Sequence, residues 1–154
     1  MNQNHRGGIP MYKKILVPLD GSPRAERILP HIEELALKFE SKVIFLRVLE
    51  PGSIIQRPQG TEFETKIIKE EEDEATVYIS AWAGEFREKG LRSKGIVEHG
   101  PVVQSMISVA EREDADLIAM ASHGRSGLPQ VFYGSVAAGI LHRIDRPLLL
   151  IRSV

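Results

Sequence analysis

Short apolar runs alternate with longer segments of helical period along almost the whole chain, and that alternation leaves few folds open. The first run, Ile15-Leu16-Val17-Pro18-Leu19, closes on Asp20-Gly21-Ser22-Pro23. With Ser22 as N-cap and Pro23 as first helical residue, a helix is predicted to follow, carrying Ala25, Ile28, Leu29, Ile32, Leu35, Ala36 and Phe39 on one face. Pro30 falls inside it, removes one backbone hydrogen bond and predicts a bend. Lys42 to Val48 is the second strand. The stretch from Glu50 to Thr65, with two prolines, two glycines and no clear period, predicts a long loop. Ile68, Glu72, Ala75, Ile79, Trp82 and Phe86 then mark a long helix ending near Gly90, with Glu70 to Asp73 as a solvated face. Leu91 to Val97 is a third, more exposed strand. Gly100-Pro101 opens a third helix with Val103, Met106, Ile107 and Ala110 inward. Leu117 to Ala121 is the fourth strand, and a last helix ends at His142-Arg143 before Pro147 and the closing run to Ile151. Four strand–helix units and a closing strand require right-handed crossovers. They predict one Rossmann-like α/β domain, a five-stranded parallel sheet with helices on both faces.

Composition narrows the function. At 154 residues the chain is one domain by length and buries roughly 70% of its unfolded surface. A net charge of −1 argues against nucleic acid held by bulk electrostatics, though not against a small anion held locally. There is no cysteine, so disulfides, thiolate metal sites and cysteine nucleophiles are excluded. The five histidines are scattered, with no HExxH pair. No apolar run reaches the length of a membrane span, and Met1 to Tyr12 lacks a signal-peptide core. The expectation is a soluble, cytoplasmic protein, with a flexible polar extension over 1–12 and the folded domain over 13–154.

The chemistry gathers between Asp114 and Ser135. A buried strand ends at Ser122-His123-Gly124, a loop carries Gly127 and Pro129, and Gly134-Ser135 stands directly before a helix. Glycine lets backbone N–H groups approach a ligand, and the unpaired N–H groups of a helix's first turn favour a phosphate. Ser135 caps that helix or adds a hydroxyl to the anion shell; Gly and Ser also mark ordinary loops. The remaining polar and glycine positions converge on the same edge. Asp20-Gly21-Ser22, Arg47-Val48-Leu49, His123-Gly124 and Gly134-Ser135 all fall at carboxyl ends of strands, where ligands of open parallel sheets bind.

Other nucleotide folds do not match. GxxxxGK[ST] is absent, and no GxGxxG follows the first strand. A phospho-accepting receiver domain needs an aspartate after the third strand and a lysine near the fifth. Here those ends read Val97-Glu98-His99 and Ile151-Arg152.

ILVPLDGS, KVIFLRVLEP, ADLIAMASHGRSGL…YGSVA and RPLLLIR together resemble the universal stress protein family, in its nucleotide-binding branch, from about Lys13 to Arg152. That branch's motif is Gly, two residues, Gly, nine residues, Gly, then Ser or Thr. The chain matches the spacing through Gly124, Gly134 and Ser135, but Ala121 replaces the first glycine. Were positive φ or close ligand approach needed there, Ala121 would weaken binding; as a strand residue beneath the ribose, its methyl is tolerable, and its place at the end of an apolar run favours this.

The resemblance implies strand order 3-2-1-4-5 and ATP along the carboxyl edge. Adenine would meet the backbone of Val48 and of Pro18, Leu19 and Asp20; ribose would lie near Asp20 and Gly124. The phosphates would lie near Gly124, Arg125, Gly134, Ser135 and Val136, and Mg2+ or Mn2+ would be held through them. Asp20 is otherwise a turn residue. His123 orients the loop or meets phosphate, Arg125 pairs with phosphate or projects into water, and Arg47 has solvent as its expected partner. The resemblance also implies a homodimer through Leu148 to Ile151, an apolar edge strand. The residues named near the phosphates are binding groups and none is assigned as a base, so slow or absent turnover is expected and a regulatory ATP-binding protein with an unidentified protein partner is the leading reading. A slow ATPase or phosphotransferase, and a relative that has lost nucleotide binding through Ala121, are the alternatives.

Overall fold

A computed structural model of the chain describes residues 11–50, 62–122 and 134–153. Five strands form one parallel sheet: β1 (Lys14–Pro18), β2 (Lys42–Leu49), β3 (Arg92–His99), β4 (Leu117–Ser122) and β5 (Leu148–Arg152). Their order is β3-β2-β1-β4-β5, as expected. The helices between them are α1 (Leu29–Phe39), α2 (Glu62–Glu88), α3 (Val102–Arg112) and α4 (Gly134–Arg143).

The alternation of the strands sorts the core into two layers. Ile15, Val17, Val43, Phe45, Leu117 and Ala119 face α1 and α2, where they meet Ile32, Ile79 and Phe86. Leu16, Ile44, Leu46, Ile118 and Met120 face α3 and α4, where they meet Met106, Val109, Ala137 and Ile140. All the β1, β2 and β4 residues among these are buried, so their sequences run nearly unbroken in apolar character. Right-handed crossovers explain the split. The chain winds outward from β1 to β3 with helices on one face, then returns to β4 and must place the next helices on the other.

Two local expectations change. The segment after Pro23 is not a single bent α-helix: a 3-10 helix, Ala25–Ile28, leads into α1, and Pro30 sits in the first turn of α1. Having no N–H, Pro30 cannot bond to the Glu26 carbonyl, which instead accepts from Leu29 three residues on. Ser22 is not the N-cap, which is Arg24 with no side-chain cap bond; its Oγ accepts from the Ala25 N–H at 3.2 Å and closes the turn ahead of the 3-10 helix. The long loop expected to reach Thr65 gives way to α2 by Glu62, and 51–61 lie outside the described residues. Composition misled there because α2 begins in exposed residues with no apolar stripe.

Three contacts hold the frame. Phe45 and Phe86 meet edge to face at 4.9 Å between ring centroids. The Asp116 carboxylate accepts from the Lys13 and Lys14 N–H groups at 2.8 and 3.0 Å, tying β1 to the start of β4. Arg146 donates to the carbonyls of Ala110 and Ala115 at 2.9 and 2.8 Å, tying the end of α3 to the approach to β5.

Candidate functional site

Strand order reverses at β1, which pairs with β2 on one side and β4 on the other. A cleft of about 750 Å³ opens at the carboxyl ends of these strands. It lies where an open α/β sheet leaves a crevice, because the chain departs from β1 and β4 towards opposite faces.

The residues after β1 line one part of it. Pro18 ends the strand, and the Leu19 N–H carries the pairing one step further by donating to the Leu46 carbonyl at 2.8 Å. The chain then turns at Asp20, whose Oδ1 accepts from the Ser22 N–H at 2.9 Å, and at Gly21, with φ of +84°. That dihedral suits glycine, and the aspartate closes the turn. From β2 come Val48, Leu49 and Arg47; from β4, Met120 and Ala121; from α4, Ser135, Val136 and Ala137. Seven residues expected at a nucleotide site therefore share one opening: Pro18, Leu19, Asp20, Val48, Ala121, Ser135 and Val136. Gly134 is the first residue of α4. His123, Gly124 and Arg125 lie outside the described residues. Ala121 lies within β4, paired with Ile151; the positive-φ residues other than glycine that are described are Tyr12, Glu40 and Asp114. Arg47, expected to face solvent, is half-buried and lines the cleft.

Two helices contribute what the sequence pattern did not reveal. Glu71, Glu74, Ala75 and Tyr78 line the cleft from α2, and Val102 and Met106 from α3. Glu71 belongs to a run whose composition predicts a solvated acidic face, and nothing in local spacing says that this face overhangs the sheet edge. With Asp20 and Glu50, the lining carries four carboxylates; Arg47 is its positive charge among the described residues. The Tyr78 hydroxyl donates to Glu26 Oε1 at 2.8 Å. Burial first, then the Glu26 carboxylate as acceptor and as charge, pushes this phenol well above its ordinary value, so it remains a donor at neutral pH. Among the described residues, no group of three or more His, Asp or Glu side chains is placed to hold a metal ion.

Fold and cleft together define a doubly wound α/β domain with a ligand-sized opening at its topological switch point. The chain belongs to the universal stress protein family, whose pattern matches residues 11–152. Universal stress protein MJ0577 of Methanocaldococcus jannaschii is 28% identical over 155 residues, covering 92% of this chain and 96% of that protein. The solved structure of MJ0577 superposes with a TM-score of 0.79 at 30% identity, over 92% of this chain and 96% of its own. A universal stress protein from Archaeoglobus fulgidus in complex with dAMP shares the fold at a TM-score of 0.62 and 20% identity, covering 92% of this chain and 98% of its own. Another, in complex with cAMP, does so at 0.60 and 20%, covering 94% and 99%.

Proposed function

We propose that the protein binds ATP in this cleft and acts as a nucleotide-dependent regulatory protein of the stress response. The observation that carries the reading is the convergence of the Pro18–Asp20 turn, Val48, Ala121 and the first turn of α4 on one opening. Its volume of about 750 Å³ lies within the roughly 300–1,000 Å³ of small-ligand sites. Family members of the same fold hold dAMP and cAMP, which supports a nucleotide as the ligand class.

Charge sets the orientation. The carboxylates of Glu71 and Glu74 on α2 repel phosphate but accept hydrogen bonds, which suits the ribose hydroxyls or the adenine amine. The phosphates belong at the opposite wall, where the N–H groups of Gly134, Ser135 and Val136 have no partner within α4 and its dipole is positive. Gly124, Arg125 and His123 complete that end in this reading. Adenine lies against Val48 and the backbone of Pro18 to Asp20. A Mg2+ or Mn2+ ion arrives with the phosphates, which supply most of its ligands.

The functional unit in this reading is a cytoplasmic homodimer joined through β5, and its output is a nucleotide-dependent surface read by another protein. Heat-denaturing the purified protein and chromatographing the supernatant tests the ligand: an adenine nucleotide near one per chain is expected. A protein that carries none and shows no heat of binding with MgATP contradicts the proposal. Phosphate release that is slow in the wild type and lost in Ser135→Ala would instead favour an ATPase.

A further inference from the structure

Two walls of the cleft rest on different parts of the sheet. The helix α2, which supplies Glu71, Glu74, Ala75 and Tyr78, packs on β2 and β3, whereas the 3-10 helix that supplies Ala25 packs against β4. Between them runs the hydrogen bond from the Tyr78 hydroxyl to Glu26 Oε1, joining residues 52 apart in sequence. Glu26 is one residue from Ala25, whose N–H is held by Ser22 Oγ, and the Ser22 N–H is held in turn by Asp20. A short series of bonds thus connects α2 to the turn that carries Asp20. The Tyr78 ring also lines the cleft and, with Trp82, packs against the buried core, so it cannot swing away without losing apolar contact.

We propose that Tyr78 is a positioning residue for the nucleotide: its hydroxyl, through Glu26, fixes the Asp20 turn against α2 and presets the width of the opening. This rests on the nucleotide reading above. A charge-assisted bond of this kind is worth more than a neutral one, and when it is cut, the freed turn must be ordered again each time a ligand binds. A tether that served only the fold would lower the melting temperature and leave affinity unchanged.

The experiment uses the full chain with Tyr78→Phe, Glu26→Leu and Glu26→Gln, the last keeping an acceptor oxygen for the phenol. Amide hydrogen exchange is followed over residues 21–28 without nucleotide, MgATP affinity by calorimetry, and stability by melting. Tyr78→Phe and Glu26→Leu should exchange faster there and bind MgATP about fivefold to tenfold more weakly, as loss of part of one charged hydrogen bond would give. Glu26→Gln, which keeps the bond but not its charge, should fall between these variants and the wild type. Unchanged exchange in Tyr78→Phe overturns the proposal, as does unchanged affinity in a variant that merely melts earlier. Faster exchange in the variants alongside a wild type with no affinity for MgATP leaves the tether standing and removes the nucleotide reading. The two failures are therefore distinguishable.

Discussion

A single Cβ is the sharpest probe of the proposed phosphate wall. If the N–H groups of Gly134, Ser135 and Val136 hold the phosphates, Gly134→Val pushes the ligand away and costs about two charge-assisted hydrogen bonds. At roughly 1.5–3 kcal/mol each, that is a hundredfold or greater loss of MgATP affinity, measured by calorimetry. Melting without nucleotide should change far less, because the residue opens a helix at the sheet's edge. Ala121→Gly, which restores the family's pattern, should leave affinity unchanged or raise it. Tyr78 offers a second test. Its folded value lies above the unfolded one, so the stabilisation is fully present below about pH 10 and is lost as pH rises through the folded value. Urea unfolding at increasing alkaline pH should therefore show the wild type losing stability faster than Tyr78→Phe.

Among the elements, α2 and β5 carry the most specific expectations. The approach of α2 to β3 depends on Gly95: a Cβ there would stand 2.3 Å from Ile79 Cγ2 and 3.3 Å from the Ile79 backbone. Ile79 is buried and has backbone behind its side chain, so it has little room to yield. Gly95→Ala should cost about 1–3 kcal/mol of overpacking and lower the melting temperature by roughly 2–4 °C per kcal/mol. At the other edge, β5 pairs only with β4 in the described sheet, and Leu148 to Ile151 are each half-buried. An apolar edge of this kind pairs readily with a second copy across a two-fold axis. Sedimentation at micromolar concentration should give a dimer mass; a monomer would exclude β5 as a standing interface.

For the molecule as a whole, part of the core lies away from the cleft. The cleft shares Leu19, Leu46, Val48, Met106, Met120 and Ala137 with the two core layers and is completed by strand ends, turns, the start of α4 and the middle of α2, whereas Phe45 and Phe86 are core residues that do not line it. Phe86→Ala should therefore lower stability by about 3–5 kcal/mol, through loss of a buried ring packed on Phe45, in thermal or denaturant unfolding. Its effect on MgATP affinity, measured well below the melting temperature, should be small.

Periodicity, with proline and glycine marking the breaks, carried the five strands and four α-helices but not the 3-10 helix, since a strand buried on both faces and a helix buried on one must each repeat apolar residues at their own spacing. The converging edge was legible too: carboxyl ends of parallel strands share one side of the sheet, so Asp20, Val48, Ala121 and Ser135 had to lie near one another once the strands were placed. Strand order was not in the periodicity and came from the family resemblance. Pro30 marked a break but not its form, because whether a proline bends a helix or starts one depends on which carbonyls its neighbours engage. Only the tertiary structure brought Glu71, Glu74 and Tyr78 over the cleft and set Tyr78 on Glu26. The physical reason is that a helix face is written in its sequence as apolar or polar, while the angle at which it crosses a sheet is decided by side chains from other segments packing beneath it.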